Sequence, residues 1–358
     1  MTTLPDASGS SRETDVLDLD ALATLLGDAG AAAGDAPLSA ELISGGRSNL
    51  TYRVTDGSRR WILRRPPFGE IMEGTHDVIR EYRVMAGLSA SKVPVPRVVL
   101  LDDGTVSAGA PCYLMDEVAG HVLRTPELVE AFPVPARRTL GEGLVDTLAD
   151  LHDVDPEAVG LADLGRPKGY LERQLARWMR QYSTTKVREL DQVDEIARVL
   201  SARLPQHSEV SIVHGDYRID NVIAAADGRV AAVLDWEMAT LGDPLADLAT
   251  LVMFTDEPGR RFNPITGGLT AVDGFLSKDA VVERYARRRR DIAHDLDWYL
   301  VFAQFKLAII LEQIHARHLM GNTVGDGEHG RVGPMVEELL AEAADGLALP
   351  GLRRRGAS

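Results

Sequence analysis

Cysteine is almost missing from this chain of 358 residues, Cys112 being the only one. No intramolecular disulfide and no multi-cysteine metal site is therefore available, which fits a reducing, cytoplasmic setting. Positive charge is also short: 39 Lys and Arg face 54 Asp and Glu, a formal net charge of -15. That balance excludes a general nucleic-acid binder, which needs a basic face to neutralise phosphates. It tolerates, or weakly attracts, a cationic substrate. Uninterrupted apolar runs are lacking as well. The most apolar stretch, Trp298 to Ile314, is broken by Gln304, Lys306 and Glu312, groups that would be costly in hydrocarbon. It reads as a buried core helix, so no membrane partner is expected. No export signal is visible either. Residues 1–17 are polar and are expected to form a disordered tail.

What is present has two textures. Leu22, Leu25, Leu26 and Ala29 share one face of a first helix, capped by Asp18 or Asp20. Short β-like runs follow. Leu50 to Val54 and Arg60 to Arg64 flank Asp56-Gly57, a strong hairpin signal. A helix is predicted from about Thr75 to Leu88, then strands Arg97 to Leu101 and Pro111 to Val118 around Asp103-Gly104. After Gly120 helices dominate: Pro135 to Val154, Tyr170 to Tyr182, Gln192 to Leu204, and three or more beyond Asp243. One strand-rich island, Ser211 to Trp236, interrupts them with a hairpin at Asp227-Gly228. The expected fold is α+β and bilobal. Residues 18–118 form a small antiparallel-sheet lobe, and residues 119–358 a larger, mainly helical lobe.

The island carries the chemistry. It contains Val213-His214-Gly215-Asp216-Tyr217-Arg218-Ile219-Asp220-Asn221-Val222, then Val233-Leu234-Asp235-Trp236-Glu237. Phosphoryl transfer needs a carboxylate to accept the proton of the attacking hydroxyl, and oxygen ligands to hold magnesium against the phosphates. An Asp and an Asn five residues apart on one loop, with an Asp after the next strand, supply both. Protein kinases use this spacing. Asp216 is therefore assigned as base, and Asn221 and Asp235 as Mg2+ ligands. His214 is expected to brace the loop, while Asp243 and Asp247 cap a helix and anchor it.

The sheet lobe should add a phosphate cover and a cation. Ser44-Gly45-Gly46-Arg47-Ser48-Asn49 precedes a strand, and its small residues let backbone N–H groups approach a phosphate, so Gly46, Ser48 and Asn49 are candidate nucleotide contacts. Lysine is scarce and only Lys92 occurs in this third of the chain, so Arg64, or failing that Arg65, must supply the phosphate cation. Period-2 alternation puts Ile62 and Arg64 on one face, and arginine binds phosphate in a bidentate fashion. Glu81 on the following helix is its expected partner. In the connector Tyr113 to Gly120, the backbone of Glu117 and Val118 is placed to meet an adenine edge.

Together these segments resemble the aminoglycoside phosphotransferase-like family of the protein kinase-like fold, over about Ile43 to Ile314. The resemblance rests on Gly45 to Asn49, Leu63-Arg64-Arg65-Pro66-Pro67, Arg80-Glu81-Tyr82, Val93-Pro94-Val95-Pro96 and the two catalytic segments. Within the family it is most similar to the branch sometimes fused to acyl-CoA dehydrogenases, through Arg261 to Pro264, Gly274-Phe275, Arg284-Tyr285 and Trp298 to Lys306. The resemblance implies ATP (or GTP) and Mg2+ as cofactors. It implies a hydroxylated metabolite or hydroxyacyl thioester as acceptor as readily as an aminoglycoside. It leaves oligomeric state open between monomer and homodimer.

Other clusters read as structural. Arg287 to Arg290 and Arg353 to Arg355 are solvated basic runs, though the first, with Arg260 and Arg261, is placed to meet acceptor phosphates. His315, His318 and His329 lack the acidic or cysteine partners of a metal set, and His152 is a packed core histidine. The competing reading is a catalytically silent nucleotide-binding pseudokinase acting through partners.

Overall fold

A computed structural model describes residues 17–31, 36–43, 49–67, 77–205, 209–257, 267–289, 296–320 and 332–348. Residues 1–16 of the expected tail, Gly46 and Ser48 of the phosphate turn, Arg260 to Pro264, Arg290, His329 and Arg353 to Arg355 lie outside them, while Leu17, the last residue of that tail, is buried in the core. The chain divides into two compact units, Met1–Gly120 with Ala231–Ala239, and His121–Val230 with Thr240–Ser358. The segment carrying Asp235 groups with the N-terminal unit.

The first unit is built on helix α1 (Leu19–Asp28), strands β1 (Ser39–Leu42), β2 (Leu50–Thr55) and β3 (Arg60–Arg65), helix α2 (Val78–Leu88), and strands β4 (Val98–Asp102) and β5 (Cys112–Asp116). The sheet is antiparallel in the order β1-β2-β3-β5-β4. At the hairpin, the Asp56 carboxylate accepts hydrogen bonds from the amides of Ser58 and Arg59, at 2.8 and 2.6 Å. Tyr52, Val54, Trp61, Leu63 and Leu114 bury one face against Leu22 and Leu26 of α1. On β3 the alternation puts Trp61, Leu63 and Arg65 on the buried side and Ile62 and Arg64 on the other. Cys112 lies in this core, and burial pushes its thiol up to about 12, so it is no nucleophile at neutral pH. Helix α2 starts at Val78 because the Asp77 carboxylate caps it by accepting from the Arg80 amide. The 231–239 segment is sewn on by two bonds, Val233 N–H to the Pro94 carbonyl at 2.8 Å and Arg80 Nη1 to the Ala239 carbonyl at 2.8 Å.

The second unit opens with the short strand β6 (His121–Val122) and helix α3 (Pro126–Glu130). Helices α4 (Val134–His152), α5 (Tyr170–Thr185) and α6 (Asp191–Ala202) follow. Then come β7 (Ser211–Val213), β8 (Val222–Ala224), β9 (Val230–Val233, shared between the units), β10 (Thr240–Gly242), and helices α7 (Pro244–Met253), α8 (Lys278–Arg288), α9 (Leu296–Leu319) and α10 (Val332–Gly346). Strand β10 pairs with β7 and β6 with β8, both antiparallel. The turn at Asp227-Gly228 presses on the start of α4 so closely that a Cβ at Gly228 would lie 2.0 Å from the Ala136 carbonyl oxygen.

Helix α9 is the centre of this unit, with Trp298, Phe302, Phe305, Leu307 and Ile309 buried among residues of α5, α6, α7 and α10. A helix apolar almost all round must be enclosed by others, and among the described residues no helix is long and apolar enough to cross a membrane. Its polar interruptions are each partnered. Glu312, 1% exposed, pairs with Arg188 at 3.0 Å, Gln304 reaches Glu342, and Lys306 donates to the Gly215 carbonyl. The described arginines of the basic run are paired with acids, Arg287 with Glu283 at 3.7 Å. Arg284 pairs with Asp146 and Glu142, Arg288 with Asp146 and Asp150, and Arg289 with Asp153 and Glu209.

A polar column crosses the core beside α4. His152 Nδ1 meets the Tyr285 hydroxyl at 2.6 Å and Nε2 lies 3.4 Å from an Asp247 carboxylate oxygen. Burial is the largest influence on the imidazole and leaves its pKa below 6.5 despite Asp247. The unfolded chain therefore binds a proton here before the folded one does. Stability from this site is complete above about pH 6.5 and falls as the pH drops, by at most about 1.4 kcal/mol per unit. The melting temperature should fall between pH 7 and pH 5, and His152→Gln should flatten that dependence; parallel profiles would refute the assignment. Arg188→Ala strands the buried Glu312 carboxylate and should cost about 3 kcal/mol in urea unfolding, with Arg188→Met/Glu312→Leu recovering most of it.

Candidate functional site

In the second unit the catalytic loop is held from behind. Asp247, on the first turn of α7, accepts from the backbone amides of His214 and Gly215 at 2.5 and 2.8 Å. Burial opposes its charge, but His152, His214 and the amides outweigh it and hold its pKa below the usual carboxylate range. Asp243 caps α7 by accepting from the Leu245 amide and takes the Tyr299 hydroxyl at 2.6 Å. His214 is fully buried and its Nδ1 accepts from the Asp216 amide at 3.3 Å. That is a bracing contact on backbone. Tyr217 sinks into the core and its hydroxyl reaches the Leu144 carbonyl at 2.9 Å.

The loop then delivers Asp216 and Asn221 to each other. Asn221 Nδ2 donates to the Asp216 carbonyl at 2.8 Å and to Asp216 Oδ2 at 3.1 Å. Arg218 Nε lies 3.2 Å from the same Oδ2 and its Nη1 pairs with Asp220 at 2.8 Å. Among the described residues nothing hydrogen-bonds Asp216 Oδ1. The amide nitrogen of Asn221 is committed, which leaves its oxygen as an acceptor. Beneath Ile219 an apolar cavity of about 20 Å³, lined by Leu144, Leu251, Phe254 and Phe275, has room only for a water-sized guest. It is not the acceptor site.

In the first unit Arg64 is the hub. Its Nη2 lies 3.3 Å from Glu81 and 3.6 Å from Asp235. Burial disfavours its charge, but Tyr113, Glu81, Asp235 and Glu237 outweigh it and raise its pKa. Glu81 is 1% exposed and accepts from Asn49 Nδ2 at 2.9 Å and from the Tyr113 hydroxyl at 2.6 Å. Burial still pulls its pKa upward. Arg65 faces the other way, and its Nε donates to the Pro66 carbonyl. Asp235 holds φ 65°, ψ 60°, a left-handed conformation uncommon for a residue with a Cβ and typical of functional turns.

Asp235, Glu81 and Glu237 can each offer a carboxylate oxygen within 4.8 Å of the others, the one such group among the described residues. Asp235 Oδ1 is buried without a hydrogen-bond donor. The Glu81 oxygens are taken by Asn49, Tyr113 and Arg64, so the hard carboxylate oxygens that suit Mg2+ are those of Asp235 and Glu237. Glu237 was not singled out from the sequence; its signal is a second carboxylate two residues beyond Asp235. The histidines on α9 join no such group. At the connector, the Glu117 side chain is occupied by Arg53 and Arg60, and its amide donates to the Arg60 carbonyl at 3.2 Å. The Glu117 carbonyl and the Val118 amide are not hydrogen-bonded among the described residues.

Comparison with known proteins bears on the fold and the family. The chain is 34% identical over 299 residues to acyl-CoA dehydrogenase family member 11 of Gallus gallus, a match covering 82% of this chain but 38% of that protein. A crystal structure described as a putative aminoglycoside phosphotransferase from Ralstonia eutropha superposes with a TM-score of 0.77 at 31% identity, covering 92% of this chain and 99% of the other. A thermostable mutant of aminoglycoside phosphotransferase APH(4)-Ia, in complex with AMP-PNP and hygromycin B, has a TM-score of 0.59 at 16% identity, covering 90% and 99%. The fold is thus the α+β, kinase-like one of the aminoglycoside phosphotransferases. Residues 39–269 match the Phosphotransferase enzyme family, to which this chain belongs.

Proposed function

We propose that the chain transfers the terminal phosphoryl group of ATP, or of GTP, to a hydroxyl of a small molecule. Asp216 is the base, and Asn221 and Asp235 hold Mg2+, with Glu237 as a further oxygen donor. The observation that carries this reading is the clamp on Asp216. One carboxylate oxygen and the backbone carbonyl are fixed by Asn221, while the second oxygen keeps its lone pairs for an incoming hydroxyl. Asp216 Oδ1 takes the acceptor proton as the hydroxyl oxygen bonds to the γ-phosphorus. The bond from that phosphorus to the β,γ-bridging oxygen then breaks, releasing the nucleoside diphosphate. Bound Mg2+ would neutralise charge on the phosphate oxygens.

Arg64 supplies the phosphate cation. It is held by Glu81 and Asp235, keeps its charge, and carries a forked donor set suited to phosphate. Asn49 positions Glu81 and through it Arg64. Gly46 and Ser48 are proposed as the phosphate cover, and the Glu117 carbonyl and Val118 amide as the adenine contacts. The AMP-PNP and hygromycin B held by the APH(4)-Ia structure support a nucleotide and a hydroxylated acceptor here. The acceptor class spans hydroxylated metabolites, hydroxyacyl thioesters and aminoglycoside-like compounds.

With nucleotide turnover measured against a pool of hydroxylated metabolites, Asp216→Asn should lower kcat by about 10²- to 10⁴-fold while nucleotide affinity stays within about twofold. Intact transfer would remove Asp216 as base. Asp235→Ala should abolish the magnesium-dependent part of nucleotide binding in calorimetric titrations with and without Mg2+. Equal affinity in both would contradict the ligand role.

A further inference from the structure

The second unit holds a group of hydrogen-bond donors that phosphoryl transfer, as assigned above, leaves unused. Lys306 rises from the middle of α9 between buried Phe305 and Leu307. Its Nζ donates to the Gly215 carbonyl at 2.8 Å, one residue before Asp216, and lies 5.6 Å from the centroid of the Trp178 ring. Trp178 is 5% exposed, and its indole Nε1 has no hydrogen-bond partner. The guanidinium carbon of Arg177 lies 5.8 Å from the same ring, and Arg177 makes no ion pair or hydrogen bond among the described residues.

Every polar group in this cluster donates. The ammonium has two hydrogens left after Gly215, the indole has one, and the guanidinium five, with no acceptor among them. Of the carboxylates nearby, Asp216 takes Arg218 and Asn221 on Oδ2, its Oδ1 being assigned to the acceptor hydroxyl, and Asp247 takes two backbone amides and His152. Burial lowers the pKa of Lys306; Asp216 and Asp247 raise it, and Arg177 and Arg218 push it down again. A buried indole N–H left unpaired costs free energy unless a ligand meets it. Charge-assisted bonds from ammonium and guanidinium to an oxyanion are the strong ones. In a chain of net charge -15, such a donor-only patch is not background.

We propose that Lys306, Trp178 Nε1–H and Arg177 form an oxyanion site beside the base, so that the phosphoryl acceptor carries a carboxylate or a phosphate as well as its hydroxyl. This deepens the phosphotransferase reading and rests on it for the identity of the hydroxyl chemistry. Lys306 has a double part, since the bond to Gly215 ties the anion site to the residue preceding Asp216. A polycationic acceptor would be repelled by the same three groups. The anion can come from a free hydroxycarboxylate or from the phosphates of a coenzyme A thioester.

The test is calorimetric titration of the full chain, without nucleotide, by inorganic phosphate, 3-hydroxybutyrate, its coenzyme A thioester, its neutral methyl ester and kanamycin. At least one anion should bind with millimolar affinity or better. The methyl ester and kanamycin should bind about tenfold more weakly or not at all. Free acid against thioester separates the two sources. Arg177→Gln, on an exposed helix face, and Trp178→Phe, which removes only the N–H from the packing, should each weaken the anion about fivefold or more while ATP affinity is unchanged. Lys306→Met should weaken it further, with its melting temperature checking the fold. The proposal is overturned if no anion binds below about 10 mM, if the methyl ester binds as well as the acid, or if Arg177→Gln and Trp178→Phe bind anion like the wild type. These titrations contain no nucleotide and so test the anion site apart from transfer; anion binding with no transfer once ATP and Mg2+ are added would defeat the kinase reading alone.

Discussion

The catalytic loop depends on one buried carboxylate. Asp247 turns two backbone amides of His214 and Gly215 toward itself, and it must be ionised to do so. Its charge is tolerable in the core only because those amides and His152 surround it. From that fixed point the chain has a short distance to run. His214 stays buried, Tyr217 is driven into the core, and Asp216 is left half-buried with Asn221 closing on it. Lys306 holds the Gly215 carbonyl while Asp247 holds its amide, so both sides of one glycine are tied down just ahead of Asp216.

The first unit solves a different electrostatic problem. Arg64 stands where kinases place a lysine, and it is enclosed by Glu81, Asp235 and Tyr113. A buried guanidinium is stable there because carboxylates face it, and the acids are tolerable because the cation faces them. An arrangement so balanced keeps its geometry while leaving Arg64 Nε without a hydrogen-bond acceptor. Asp235 pays for its position with left-handed backbone, a strain kept by the packing of Trp236 and by the bonds from Pro94 and Arg80 that hold its segment.

Much of this was legible from local pattern. The Asp56-Gly57 and Asp227-Gly228 turns, the Leu140, Leu144, Leu148 and Leu151 stripe, and the compound motif around Asp216 all depend on neighbours within a few residues. Helix and strand ends fell within a few residues of expectation; the α2 start differs because Asp77, rather than a residue nearer Thr75, supplies the cap. Strand β1 escaped notice because Ser39 to Leu42 is short, with no buried residue in its pattern. Glu237 and Lys306 were visible as residues but not by their neighbours. Lys306 was an interruption in an apolar helix, and only the fold brings it to Gly215, 91 positions away.

By itself the sequence determined the chemistry on offer: a base, an amide and carboxylates at kinase spacing, one isolated thiol, and a cation that had to be arginine. Those follow from residue type and short-range order, which covalent connectivity preserves in any conformation. Tertiary structure alone decided which charges are neutralised and which are left for ligands. It paired Arg284, Arg288 and Arg289 with acids of the second unit, turned Arg65 away from Glu81, and left the indole of Trp178 without an acceptor. Partnership and burial depend on distances between residues far apart in the chain, and those distances exist only once the core has formed.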